Sequence, residues 1–291
     1  MPVRRVFVFG GGGWTGSALV PILAARGLEV VAPRSRELDV ADEPAVLESL
    51  RGSRADGVVN LAAAQPGAAE DALEHANHCG AASVARAAAV LGLRLVHVST
   101  DMVLGGDRAP YADDAPVDPL TDYARSKARG EAAVLEIQQS AVCVRTSLLW
   151  DPNRMGRGIT GFARRLEAGE PCRLFADEVR CPLPRGVLAE ALVRLLDADV
   201  RGTLNVAGRE AVTRHAWGTR LLAHFDVPGR ERVETVRAAD LEAQGAPPRP
   251  RDLTLDVSRA EALLGMRLPG LGEVLDAHAG GETAAPSFPG T

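Results

Sequence analysis

The stretch that most limits what this chain can become is Val6-Phe7-Val8-Phe9-Gly10-Gly11-Gly12-Gly13-Trp14-Thr15-Gly16. Four apolar residues in a row read as a short strand buried on both faces, and Ser17-Ala18-Leu19-Val20 opens a helix. Between them, Gly10, Gly13 and Gly16 recur at every third position. A strand, glycine turn and helix in this order bring the main chain close to a pyrophosphate and aim free helix N–H groups at it. A Cβ at these glycines would block the required φ or the approach of the phosphate. A glycine-rich turn without a ligand is the competing reading. The strand before the turn and the helix after it favour dinucleotide binding, with Trp14 and Thr15 as further contacts of the turn.

The first half of the chain repeats the strand–helix alternation. Strands are predicted at 28–32, 57–61, 93–98 and 141–148, and helices at 17–26, 43–51, 70–91 and 121–138. Asp42 and Thr121 stand where helix caps belong, and Gly27 and Gly92 where helices stop. This alternation implies a doubly wound, Rossmann-type parallel sheet with helices on both faces. Ligands then gather beyond the carboxyl ends of the strands, where Gly10, Ala62 and Thr100 fall. The second half is less regular. Helices are expected at 159–168, 187–197, 213–225 (capped by Thr213) and 258–265 (capped by Ser258), with a strand at 203–207 returning to the sheet. The division that follows is a dinucleotide-binding part, 1–148, and a smaller α/β substrate-binding region, 149–279, partly interleaved with the sheet. Residues 280–291, rich in Gly, Pro, Ser and Thr, are expected to form a mobile tail.

Composition removes several function classes. The formal net charge is −5 and no basic stripe exists, which argues against nucleic acid. No apolar run reaches membrane-spanning length, and Met1-Pro2-Val3-Arg4-Arg5 runs straight into a strand without a signal core. Cys79, Cys143, Cys172 and Cys181 form no C-x-x-C pair, so buried free thiols are expected and no metal site. A soluble cytoplasmic protein is the resulting expectation, with a homodimer as one assembly open to it.

Two further segments carry chemistry. The position about 20 residues past the glycines, where an NAD site places an acid for the ribose hydroxyls, reads Ala32-Pro33-Arg34-Ser35-Arg36. Arg34 and Ser35 suit a 2′-phosphate, which favours NADP; a solvated basic turn is the alternative. Asp39 could still contact the adenine side, so NAD stays open. Tyr123-Ala124-Arg125-Ser126-Lys127 puts a phenol and an ammonium four apart on one helix face. The lysine is expected to lower the tyrosine pKa. That suits proton exchange with an alcohol or carbonyl oxygen, with the Thr100 hydroxyl orienting the same oxygen and Lys127 also reaching the nicotinamide ribose.

With these segments in view, the chain resembles the extended short-chain dehydrogenase/reductases, and within them the dTDP-4-dehydrorhamnose reductases. The resemblance rests on Gly10 to Gly16, Val59 to Ala64, His97-Val98-Ser99-Thr100-Asp101, Pro119 to Lys127 with Gly130-Glu131, Arg145-Thr146-Ser147, and Arg249 to Asp256, and it reaches residue 278. It implies reduction of a keto group on a nucleotide-linked sugar by NADPH or NADH. It also implies Thr100, Tyr123 and Lys127 as the catalytic trio. Ala62, Ala63 and Ala64 would line the cofactor; Asp101, Met102 and Arg180 would stand on the substrate side. Asn77 matches an amide near the family's active site, with helix packing as its other reading. The chain departs from the family at Gln65-Pro66-Gly67, at Met102 where an aromatic is usual, and at Leu148, with Trp150 two residues beyond the family's tryptophan position. All three departures are on the sugar side. Two rivals use the same fold: an epimerase or dehydratase with bound NAD, and a non-catalytic NADP-binding regulatory subunit. Among other residues, His75 and His78 lack a third metal ligand in the sequence, His97 reads as core, Trp14 as packed on the first helix, and Arg180 and Arg185 as solvated or facing a diphosphate.

Overall fold

The apolar run before the glycines becomes the strand β1 (Arg5–Phe9), at the heart of the sheet. Residues 3–280 are described in a computed structural model of the chain; the expected tail lies outside the described residues from 281 onward. β1 is followed by β2 (Glu29–Val31), β3 (Gly57–Asn60), β4 (Arg94–Thr100) and β5 (Val142–Thr146). Four short strands come next: β6 (Leu149–Trp150), β7 (Cys172–Phe175), β8 (Val179–Arg180) and β9 (Leu183–Pro184). Then come β10 (Gly202–Asn205), β11 (Val212–Thr213) and β12 (Val233–Val236). The main sheet is six-stranded in the order β10-β5-β4-β3-β1-β2, and all its pairings are parallel. β10 is the strand expected to return from the second half.

Helices cover both faces, as strands buried on both sides require. Val6 and Val8 of β1 face one core with Leu19 and Leu23 of α1 (Gly16–Ala25). Phe7 and Phe9 face the other, with Val46 and Leu50 of α2 (Glu43–Ser53). The long alanine-rich helix predicted over 70–91 is interrupted. It runs as α3 (Glu70–Leu73), a π-helical segment Glu74–Cys79, and α4 (Gly80–Leu91). The interruption turns Asn77 inward, where it is buried. α5 (Asp122–Ile137) packs beside it so closely that a Cβ at Gly130 would lie 2.0 Å from the Asn77 carbonyl oxygen.

Asp42, Thr121 and Thr213 cap their helices as expected, each accepting from the amide three residues on. α6 (Arg157–Glu167), α7 (Arg185–Asp197), α8 (Arg214–His224) and α9 (Ala238–Glu242) belong to the second half, followed by α10 (Ser258–Leu264) and α11 (Leu271–Ala279). Ser258 does not cap α10: its own amide is taken by the Asp256 carboxylate two residues earlier, so the local cap is an Asx turn. A separate small core gathers Trp150, Ile159, Leu174, Trp217 and Leu221 from α6, α8, β6 and β7. The antiparallel ribbon β8–β11 pairs Arg180 with Val212 and Val179 with Thr213. No helix among the described residues is long and apolar enough to cross a membrane.

Gly130→Ala should lower stability by about 1–3 kcal/mol through backbone overpacking, although alanine normally gains roughly 1 kcal/mol over glycine inside a helix. The denaturant midpoint reads the balance; an unchanged midpoint would mean that α5 and the π segment separate freely.

Candidate active site

A single cleft of about 1630 Å³ runs along the carboxyl ends of the strands, lined by the glycine turn, the Arg34 turn, the alanine loop, Thr100, Tyr123 and Lys127. In the sheet order, the chain leaves β1 toward β2 on one side and returns to β3 on the other, so the crevice opens between β1 and β3. The glycines are needed there for packing reasons visible in the structure. Gly10 has φ +75°, and a Cβ on it would meet the Leu61 and Ala62 backbone at 2.9–3.0 Å. A Cβ on Gly16 would sit 2.3 Å from the Gly10 carbonyl oxygen. No side chain caps the first turn of α1, which leaves its N-terminus available to an anion. The residues present therefore fit a dinucleotide pyrophosphate.

At the far end of this half, Arg34, Ser35 and Arg36 are exposed along the cleft. Asp39 is bound by the His75 ring at 2.9 Å, a contact the π segment makes possible. The Ala41 backbone N–H, more than His75, holds the Asp39 carboxyl below its ordinary pKa. Ala62, Ala63 and Ala64 follow β3 along the wall. Asn77 settles as the amide that holds this loop: its Oδ1 accepts from the Ala64 N–H at 2.9 Å, and its Nδ2 donates to the Ala64 carbonyl at 3.1 Å. The same Nδ2 donates to Ser126 Oγ at 2.9 Å, on the catalytic helix.

Thr100 ends β4, and Tyr123 and Lys127 project from the first turns of α5 into the same cleft. Lys127 Nζ donates to the Val98 carbonyl at 2.7 Å, and burial pulls its pKa down to about 8. The expectation that this lysine lowers the tyrosine pKa is corrected here. Burial first, and the Asp101 carboxylate second, push Tyr123 up to about 12; the neighbouring Thr100 hydroxyl and Arg180 guanidinium act the other way. A phenol partly withdrawn from water, beside a carboxylate, keeps its proton. Tyr123 is thus a neutral donor at physiological pH, not a phenolate.

The substrate side departs further from the sequence reading. Asp101 does not line the cleft: it is fully buried and accepts from Arg180 Nε at 2.7 Å, Arg180 Nη2 at 2.5 Å, Ser147 Oγ at 2.5 Å and Thr100 Oγ1 at 3.2 Å. Arg180 reaches the cleft wall but is buried and paired with Asp101, so it is not a solvated arginine. Arg185 is not solvated either. It pairs with Asp151 at 2.6 Å, donates to the Trp14 carbonyl at 2.7 Å and stacks on the Trp14 ring with its carbon 4.1 Å from the centroid. Trp14 therefore packs against the second half, where a Cβ at Gly156 would touch its ring at 3.1 Å, and not only on the first helix. Met102, Gln65 and Leu148, the three departures from the family, all line the cleft. Ser147 and Trp150, noted in the sequence only within the segments compared with the family, also line it, and sequence reasoning missed Arg214 and Trp217, which line it too. Only the β8–β11 ribbon brings the last two there, and no local signal marks them.

His97 is buried as expected, with neither ring nitrogen bonded. Cys143, Cys172 and Cys181 are buried free thiols, whereas Cys79 is exposed. The absence of a third ligand near His78 is corrected: Glu74, His78 and Cys79 bring donor atoms within 4.8 Å of one another. Glu74 is already held by His78 and by Arg129, whose charge opposes a cation there.

Comparison with known proteins agrees with this geometry. The RmlD substrate binding domain family matches residues 4–278. A dTDP-4-dehydrorhamnose reductase of Mycolicibacterium smegmatis is 34% identical over 266 residues, covering 88% of this chain and 79% of that protein. Methionine adenosyltransferase 2 subunit beta of Bos taurus is 26% identical over 299 residues, covering 92% and 85%. Among solved structures, dTDP-4-dehydrorhamnose reductase from Bacillus anthracis in complex with NADP superposes with a TM-score of 0.82 at 23% identity, covering 95% and 97%; at that identity the likeness concerns the fold.

Arg180→Met strands the buried Asp101 carboxylate and should cost about 3–5 kcal/mol in urea unfolding. Adding Asp101→Asn should restore part of that loss, whereas equal stability of the single and double variants would mean that the pair is not coupled.

Proposed function

The chain belongs to the RmlD substrate-binding-domain family, and on that premise we propose that it is an NAD(P)H-dependent reductase of a keto group on a nucleotide-linked sugar. The observation that carries the proposal is one cleft with a glycine turn fit for a pyrophosphate at one end and Thr100, Tyr123 and Lys127 on its wall. Arg34 and Ser35 favour NADPH over NADH, since an exposed guanidinium and a hydroxyl suit a 2′-phosphate and no acid follows β2 directly. Asp39, bound to His75, leaves NADH open. The division into a cofactor part, 1–148, and a substrate part, 149–279, belongs to this reading, and the return of β10 to the sheet supports their interleaving. Free thiols at all four cysteines support a reducing, cytoplasmic setting.

A bound nicotinamide would supply the hydride to the carbonyl carbon. The chain's own residues manage the oxygen. The substrate carbonyl oxygen sits between Thr100 and Tyr123. Thr100 orients it by a hydrogen bond, and Tyr123 gives up its phenolic proton as negative charge builds there. The raised pKa of Tyr123 keeps that proton in place until the oxygen becomes basic enough to take it. Lys127, anchored on the Val98 carbonyl, places positive charge in the same wall and stabilises the phenolate left behind. The glycine turn would hold the cofactor pyrophosphate, and the alanine loop fixed by Asn77 would line the site of its reactive ring. Met102, Gln65 and Leu148 make the sugar pocket differ from the usual family pattern.

The likeness to a methionine adenosyltransferase subunit keeps one other reading, a regulatory NADP-binding subunit. NADPH oxidation over a panel of nucleotide-linked 4-ketosugars separates the two. Tyr123→Phe should lower kcat by roughly 10²–10⁴-fold with little change in NADPH affinity; a protein with no turnover on the panel, or a phenylalanine variant as active as the parent, would refute the reductase reading. The reductive rate should also fall as pH rises through about 8, because Lys127 is charged below its pKa and neutral above it. Lys127→Arg, which stays charged, should carry a flat profile across that range; an alkaline limb unchanged by the substitution would assign it to another group.

A further inference from the structure

Around the β8–β11 ribbon five charged side chains come together beside the cleft: Asp101, Glu178, Arg180, Arg214 and Arg249. Four of them form two closed pairs: Asp101 with Arg180, and Glu178 with Arg249. The fifth, Arg214, begins α8 directly after the ribbon, with its amide donating to the Glu178 carbonyl at 2.7 Å. Among the described residues, no hydrogen bond or ion pair engages its guanidinium, and its Nε is sealed from solvent without a partner. The guanidinium carbon lies 5.5 Å from the Trp217 ring centroid, which fixes the side chain along one wall of the cleft. Trp217 and Trp150 line the same cleft, and their indole N–H groups are buried and unpaired among the described residues. These three orphaned groups are all donors, and none is an acceptor. Burial weakens the Arg214 charge, pulling its pKa down to about 10, and the Arg180 charge adds to that. A cation left over after its neighbours are paired, in a half-buried site, is costly unless an anion arrives.

We propose that Arg214, with the Trp217 indole beside it, is the subsite that binds the diphosphate of the nucleotide-linked substrate. The proposal rests on the nucleotide-sugar reading above and deepens it. Arg180 neighbours both centres: its charge acts on Tyr123 and on Arg214, and all three line the same cleft. A 4-ketosugar has the same layout, with the reacting carbon on one side of the ring and the phosphate-bearing carbon on the opposite side. With the reacting carbon at Tyr123, the diphosphate extends along the cleft, whose wall Arg214 also lines. The site would take a nucleoside diphosphate but bind the bare nucleoside weakly.

The test uses the full chain and measures dissociation constants for dTDP, UDP, thymidine and NADPH in the parent, Arg214→Met and Arg214→Lys. In Arg214→Met, affinity for the preferred nucleoside diphosphate should fall at least tenfold, with thymidine and NADPH unchanged; Arg214→Lys should retain part of it. The methionine variant should also melt at a higher temperature than the parent without ligand, because it removes an unpaired buried charge. Nucleoside diphosphate affinity unchanged in Arg214→Met, or lost only together with NADPH affinity, overturns the assignment while leaving the reductase reading in place. A parent that binds NADPH but neither dTDP nor UDP overturns the nucleotide-sugar reading and this assignment with it.

Discussion

The buried pair of Asp101 and Arg180 is the contact on which most of the site depends. Asp101 follows Thr100 at the end of β4, and Arg180 belongs to β8 in the second half. Taking both charges out of water costs several kcal/mol per ion before their attraction offsets it. The carboxylate accepts four hydrogen bonds, which is what makes the burial tolerable. Net stability is not the main consequence. The pair anchors the second half against the end of the central sheet. Its acid raises the Tyr123 pKa while its guanidinium restrains the rise. One ionic contact thus holds the geometry of the cleft and, after burial, adds to what keeps the proton on the phenol that faces it.

A second constraint is the closeness of main chain to main chain. The glycine turn and the alanine loop approach at Gly10 until no side-chain carbon fits between them. Asn77 then ties the alanine loop to Ser126 on α5, three residues after Tyr123. The wall that would face the nicotinamide and the helix that carries the phenol are therefore one hydrogen-bonded unit. The π segment is the local irregularity that allows this. Without the extra residue per turn, Asn77 would not face inward while His75 reaches Asp39.

The arginines divide the cleft by function. Arg185 stacks on Trp14 and closes the glycine turn against the loop near Asp151 and Gly156. Arg180 is neutralised by Asp101 and shapes the field at the phenol. Arg214 has no such partner among the described residues and lines the cleft, where the proposed anionic substrate would lie. The same residue type at three positions along one groove does structural, electrostatic and recognition work. The difference is set by which carboxylate, if any, is within reach.

Much of the first half was legible in the sequence. The strand–glycine–helix order, the Thr100 strand end and the Tyr123–Lys127 spacing are local patterns, and local patterns survive folding because period and backbone conformation are set within a few residues. Asp42, Thr121 and Thr213 capped their helices for the same reason. What tertiary structure alone decided was charge environment. The sequence reading gave Lys127 control of Tyr123, but burial and Asp101 prevail. The sequence puts Asp101 and Arg180 on the substrate side, with a solvated arginine as the other reading of Arg180, but the two pair with each other in the interior across 79 residues. Nothing in the sequence singles out Arg214, whose significance lies in having no partner among the described residues. Desolvation and long-range pairing depend on which distant segments are brought together, and no spacing along a single chain encodes that.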